Sequence, residues 1–202
     1  AKNETSYVFS LPENVTTTIS GGYATFGTTT SPVEICQGTF LKKQFTVDGS
    51  LDQRFVLDNS SIDTSTLVVY VKGPSDTGLG REYSAIDNIV GITSTSETYL
   101  IQEVQDEKYE LLFGDGIFGK KLENGTIITV TYIVTDGKDG NGASLFSFSG
   151  SLRGSSDEIV TPSSTVSVVT TASSSNGGEI ESIDSIKYFA PRLYSSQYRA
   201  VT

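Results

Sequence analysis

A chain of 202 residues can form one large or two small domains and should bury about 70% of its unfolded surface. Hydrophobic residues make up 36%, no apolar run approaches membrane-spanning length, and a net charge of −10 with scattered Lys and Arg argues against a nucleic-acid surface. Histidine is absent, which removes Ser-His-Asp and Cys-His catalysis and His-ligated zinc, and the single Cys36 excludes an internal disulfide or a cysteine-based zinc site.

What remains for an enzyme is carboxylates, Lys, Tyr or a bound metal, and no two acids are paired in a recognisable hydrolase setting. The expectation is a non-enzyme without a cofactor. Cys36 reads as a small core residue, with no His to activate it. The opening "AKNETSYVFSLPENVT" is polar and alternating, unlike a secretory signal. Methionine is absent and "QYRAVT" ends without a turn signal, so the chain reads as a fragment of something longer.

In chain order, strands are expected at "SYVFSL" (6–11), "YATFG" (23–27), "VEICQG" (33–38) and "KKQFTV" (42–47). "TLVVYVK" (66–72) follows as a β-branched run between polar, turn-forming stretches. "TYLIQEV" (98–104) and "YELLF" (109–113) read as two strands joined by a short polar loop, with Tyr109, Leu111 and Phe113 on one face. In "TIITVTYIV" (126–134), Ile128, Val130, Tyr132 and Val134 share one side, opposite a more polar one. "STVSVVTT" (164–171) completes the set. The fold class is mainly β, built of antiparallel, β-sandwich-like domains with a short C-terminal helix.

"FGDGIFGKK" (113–121) imitates two nucleotide motifs. Gly114, Gly116 and Gly119 have G-x-G-x-x-G spacing, and Gly114 to Lys121 is one residue from a P-loop. Both motifs need a helix after the glycines. Here Asn124-Gly125 signals a turn and β-branched residues run on from it, while Asp115 would face phosphate with the wrong charge. Gly114, Asp115, Gly116, Gly119, Asn124 and Gly125 are therefore expected to build a compact connection between strands.

Three further stretches resemble chemistry. "DTG" (76–78) matches the aspartic-protease triplet but lacks a preceding hydrophobic strand and a second copy. "DGKDGNG" (136–142) has the look of a calcium loop without its spacing, leaving a weak cation site through Asp136, Asp139 and Asn141 as the alternative to a solvated loop. Asn3, Asn14, Asn59 and Asn124 sit in N-x-[ST] sequons, which arise easily in a Ser/Thr-rich chain.

The tail changes character. "ASSSNGG" (172–178) is a linker by composition, a candidate flexible joint. "EIESIDSIKYFA" (179–190) places Ile180, Ile183 and Ile186 at three-residue steps and reads as an amphipathic helix of about three turns that Pro191 ends. Such a helix needs a docking surface, and "PRLYSSQYRAVT" continues extended or irregular. The candidate interface is Ile180, Ile183, Ile186, Tyr188, Pro191, Arg192, Tyr194, Tyr198 and Arg199.

"YELLFGDGIFGKKLENGTIITVTYIVTDGKDGNG" (109–142) resembles the F-G-D-G…G…L…G…I…V…Y…G…N-G segment of contractile-tail phage baseplate wedge proteins of the J-like group. "GGEIESIDSIKYFAPRLYSSQYRAVT" (177–202) is similar to their G-G…E-S-I…I-K…A-P…R-A-V-T segment, and "IDTSTLVVYV" (62–71) is in the style of the T-even type of wedge subunit. The resemblance covers most of residues 60–202. It implies a virion structural protein, assembled in the host cytoplasm, that pairs as a homodimer within a ring around the tail hub. Such a subunit holds other baseplate wedge proteins and rearranges on contraction, with no nucleic-acid or membrane partner.

The expected organisation is a compact β unit over 48–142, a second unit formed by 1–47 and completed by 143–172, and the 173–202 linker, helix and tail. The rival reading from another class is a carbohydrate-binding or adhesive β domain of a fibre or surface protein.

Overall fold

Alternating apolar and polar residues put one face of a strand against a core, and β-branched residues suit that half-buried surface. The computed structural model follows this pattern over the residues it describes, 6–50, 52–88, 90–162, 166–179 and 181–196. The first strands are short: β1 (Phe9–Ser10), β2 (Ile19–Ser20), β3 (Tyr23–Ala24) and β4 (Cys36–Gln37). The long ones follow as β5 (Thr39–Thr46), β6 (Phe55–Leu57), β7 (Ile62–Lys72), β8 (Arg81–Ala85), β9 (Thr98–Val104), β10 (Lys108–Phe113) and β11 (Ile127–Val134). A two-residue hairpin pair, β12 (Leu152–Arg153) and β13 (Ile159–Val160), precedes the helix α1 (Ile183–Ser196).

The protein is mainly β. A seven-stranded sheet runs in the order β5-β11-β7-β8-β9-β10-β6, antiparallel throughout except for the parallel β8–β9 pair. Its two edge strands, β5 and β6, face each other through Phe45 and Phe55, whose rings meet edge to face at 5.6 Å. The sheet is thus rolled into an open barrel around one core. Leu57, Val69, Leu111, Ile128 and Val130 are fully enclosed in it, and Tyr109 and Phe113 pack beside Leu111.

On β11, Ile128, Val130 and Tyr132 point into this core, while the opposite face is drier than its threonines suggest. Thr129 accepts a hydrogen bond from the Gln44 amide at 3.0 Å, and Ile133 is fully buried outside the barrel core. The cover over Ile133 is Gly38, where any Cβ would overlap the Ile133 side chain and the Val134 carbonyl. A register shift between Thr131 and Ile133 gives the Thr66 hydroxyl access to the Ile133 amide, 3.0 Å away.

The sheet corrects the expected unit boundaries. β5 lies before residue 48, yet all eight of its residues pair with β11, so residues 39–46 belong to the same sheet as 55–134. The stretches 1–47 and 143–172 share no strand pairing among the described residues: β1 pairs with β4, β2 with β3 and β12 with β13. They meet through side chains instead, as in the Phe9–Phe146 edge-to-face contact at 4.9 Å. The strand expected at 164–171 is not formed at 166–171, and its first residues lie outside the described set.

The C-terminal helix begins later and continues further than its sequence suggests. Ser182 precedes it, its hydroxyl accepting the Ser185 amide at 3.3 Å, as at a helix N-terminus. Pro191 lies inside α1, so it does not end the helix, and 191–196 are helical rather than extended. A proline removes one backbone donor and crowds the carbonyl four residues back. Pro191 is exposed, so that carbonyl can turn to water.

Candidate functional site

The loop that imitates a nucleotide site leaves β10 at Phe113 and returns to β11 at Ile127. Gly114 and Lys121 form an isolated bridge across it. Gly114 lies so close to the backbone of Gly119 that a Cβ would overlap it, and Gly119 itself has φ +88°. Only glycine fits this crossing.

Five consecutive amides of the loop are committed within the chain. The Gly116 N–H donates to the Gly119 carbonyl at 3.1 Å, Gly119 to Thr93 at 3.0 Å and Lys120 to Ser96 at 2.9 Å. Between them, the Ile117 and Phe118 amides both donate to one Asp115 carboxylate oxygen, at 2.8 and 2.9 Å. Those backbone bonds, first from Phe118 and then from Ile117, hold the Asp115 carboxyl below the ordinary aspartate range. The carboxylate occupies the place a phosphate would take at such an amide nest. The chain then turns at Asn124 and Gly125, where the Thr126 amide reaches the Glu123 carbonyl at 3.1 Å, and proceeds into β11 without a helix.

An ion network fixes the base of this loop. Glu97 accepts Lys120 at 3.0 Å and Arg81 at 3.1 Å, tying the loop to the start of β8 and the approach to β9. Lys120 foremost, with Arg81, keeps the Glu97 carboxyl low. The tip carries two apolar side chains outward, Ile117 at 69% and Phe118 at 52% exposure.

The other look-alikes are also engaged locally. The Asp76 carboxylate accepts the Gly73 amide at 2.9 Å within a turn. Asp136 accepts the Gln37 amide at 2.7 Å, and Asn141 exchanges two hydrogen bonds with the Gly177 backbone, so two of the three candidate cation ligands are already engaged. Among the described residues no three His, Cys, Asp or Glu side chains are grouped to hold a metal ion. Asn59 accepts the Tyr132 hydroxyl at 2.6 Å, which commits one of the sequon side chains to the fold. Burial raises the Cys36 thiol, with Asp63 and Glu34 adding to the effect, so it is held as a thiol.

No known protein-family model matches the sequence, and no curated protein matches it.

Six of the nine candidate interface residues lie on α1. Ile180, Tyr198 and Arg199 lie outside the described residues, while Ile183, Arg192 and Tyr194 fall on the backbone of α1. Ile186 is 45% exposed, and Tyr188 and Phe189 are also exposed, their rings in edge-to-face contact at 5.1 Å. Pro191 is exposed as well. The described part of the helix carries its apolar groups into solvent.

The stretch expected to be a flexible joint is docked instead. The Gly142 and Ser174 amides exchange bonds with the Ser174 and Ala143 carbonyls, both at 2.9 Å, as neighbouring strands do. The Ser174 hydroxyl donates to the Gly140 carbonyl at 2.5 Å, and Lys138 pairs with Glu179 at 2.5 Å. Sequence composition marks Ser and Asn as loop formers, and here those same groups clip 174–179 to the loop at 137–143.

Proposed function

We propose that this protein is a structural subunit of a contractile phage tail baseplate, pairing within the ring of wedges around the central hub and passing on its rearrangement at contraction. The observation that carries this reading is unspent surface. The chain exposes 15161 Å², whereas a compact monomer of 21.6 kDa exposes about 9000 Å². Reserving about 2500 Å² for the residues outside the described set still leaves an excess of about 3700 Å², within the range of obligate interfaces.

Much of that surface is apolar. Val8, Ile19, Tyr23, Leu145 and Val169 stand exposed on the segments flanking the barrel, and Ile186 and Phe189 on the helix. Exposed apolar side chains in this number are what contact with other chains would cover. The rolled sheet supplies a stiff body, and its loops are tied by backbone bonds, which suits a part that moves as a unit. The likeness of 109–142 and 177–202 to wedge-protein segments supplies the assembly in which such a part would work.

Electron microscopy of the purified chain at rising concentration tests the reading. Pairs and arcs of subunits are expected; a monomer at all concentrations would count against it. Glycan-array binding through exposed aromatics would transfer support to an adhesive domain.

A further inference from the structure

The chain contains three Asn-Gly steps, at 124–125, 141–142 and 176–177. Such a step carries its own chemistry, and asparagine is thermolabile because of it. The glycine backbone nitrogen, with no side chain beside it, attacks the asparagine Cγ and closes a succinimide. The new N–C bond forms as the Cγ–Nδ2 bond breaks, and ammonia leaves with the proton of the glycine amide. Water then opens the ring at either carbonyl, giving aspartate or isoaspartate. No other reagent takes part, so the fold controls the rate through its hold on each glycine amide and each asparagine side chain.

The three steps are held differently. The Gly125 N–H donates to the Val47 carbonyl at 2.7 Å, and the Val47 N–H donates to the Thr126 carbonyl at 2.8 Å, so this nitrogen belongs to the pairing at the ends of β5 and β11. At Asn141 both reacting groups are tied. The Gly142 N–H donates to the Ser174 carbonyl at 2.9 Å, and the Asn141 side chain bonds the Gly177 backbone through its oxygen and its amide.

Asn176 is the loosest. It is exposed, its backbone is left-handed at φ +68°, and its side chain makes no hydrogen bond among the described residues. The following glycine amide is held by one side-chain oxygen, that of Asn141, at 2.9 Å. Freeing it takes only a local opening of an exposed clip, whereas freeing Gly125 takes the parting of two paired strands.

We propose that Asn176–Gly177 is a site of spontaneous deamidation guarded by Asn141, and that its conversion to isoaspartate opens the clip between 137–143 and 174–179 irreversibly. Isoaspartate inserts one extra carbon into the backbone between 176 and 177. Gly177 lies so close to the Gly137 carbonyl that even a Cβ would overlap it, which leaves no space there for the longer chain. The chemistry needs no second chain, so it stands apart from the baseplate reading.

Peptide mapping by mass spectrometry tests it on the full chain held warm at mildly alkaline pH. In the folded chain Asn176 should convert at least tenfold faster than Asn124 and Asn141, and in urea the three rates should converge. Asn124 or Asn141 converting first in the folded chain, or no conversion at Asn176 while the urea-treated chain reacts, would overturn the assignment. Asn141→Ala removes the guard and should speed conversion at Asn176 at least threefold, with Asn124 unchanged; an unchanged Asn176 rate would overturn the guarding role. Should that variant fail to fold, Ser174→Ala removes the hydroxyl bond to the Gly140 carbonyl, loosens the clip from its other end and carries the same expectation. Converted wild-type chain, separated by ion exchange, should be cut by protease within 172–179 several-fold faster than unconverted chain. Equal cutting would overturn the opening of the clip.

Discussion

Asp115 decides what the 114–121 loop can be. Its carboxylate bonds the Ile117 and Phe118 amides, so the loop is closed by its own side chain where a nucleotide site would hold phosphate. Replacing it with Ala should free those two amides to exchange, read by hydrogen-exchange NMR, with little change in the melting of the barrel. The sign of the pH effect follows from a lowered carboxyl: its contribution is complete above the ordinary aspartate range and is lost as pH falls through the folded-state value. Loop protection should therefore decline on acidification in the wild type and be flat in Asp115→Ala. Gly114→Ala acts differently, because its methyl group collides with backbone at Gly119. It should destabilise the fold by about 1–3 kcal/mol, the usual range for overpacking, measured by urea unfolding.

Glu110 is the other decisive residue. It lies on the outer face of β10 at 7% exposure, and Arg54 grips it with two bonds of 2.7 and 2.6 Å. The Arg54 hydrogen bond is the main cause holding its carboxyl low. Here too stability is present at neutral pH and lost as pH falls through the folded-state value. Removing the guanidinium by Arg54→Ala should lower the melting temperature at pH 7 and shrink the difference between melts at pH 7 and pH 3.

At the scale of elements, the barrel closes through aromatic contact between strands far apart in sheet order. Phe55 touches Phe45 on one side and Phe113 on the other, both at 5.6 Å. Phe55 is half-buried, so Phe55→Ala should cost less than the about 3–5 kcal/mol of a fully buried aromatic truncation, measured by chemical denaturation. The edge strand β5 carries Lys42 and Lys43, and charged side chains on an edge discourage pairing with a stray strand. Pro191 weakens α1 from within, so Pro191→Ala should raise the helical signal at 222 nm, the interior proline being worth about 3 kcal/mol.

Across the whole molecule, an open barrel is joined by segments that share no strand pairing with it among the described residues. The clip between 137–143 and 174–179 fixes the segment that precedes the helix in sequence. Asn141 bonds Gly177 through both its carbonyl and its amide. Asn141→Ala should therefore make 172–179 more susceptible to limited proteolysis, with no change in the barrel fragment. This arrangement moves any hinge away from the Gly/Ser stretch.

The strands at 98–104, 108–113 and 127–134 were legible because period-two alternation and β-branching act within a few residues, and so was the turn at Asn124-Gly125. That the 114–121 loop runs into β11 without a helix could be read from the same local signals. Strands β6 and β8 could not, being three and five residues long and formed by what they pair with. The roll of the sheet, the place of β5 beside β11 and the docking of 174–179 join residues dozens of positions apart, and no local pattern encodes such distances. Composition and periodicity thus determined a β protein with a closed glycine loop. Only the tertiary structure decided where one sheet ends and which apolar groups stay outside it, because burial depends on which distant segments come together.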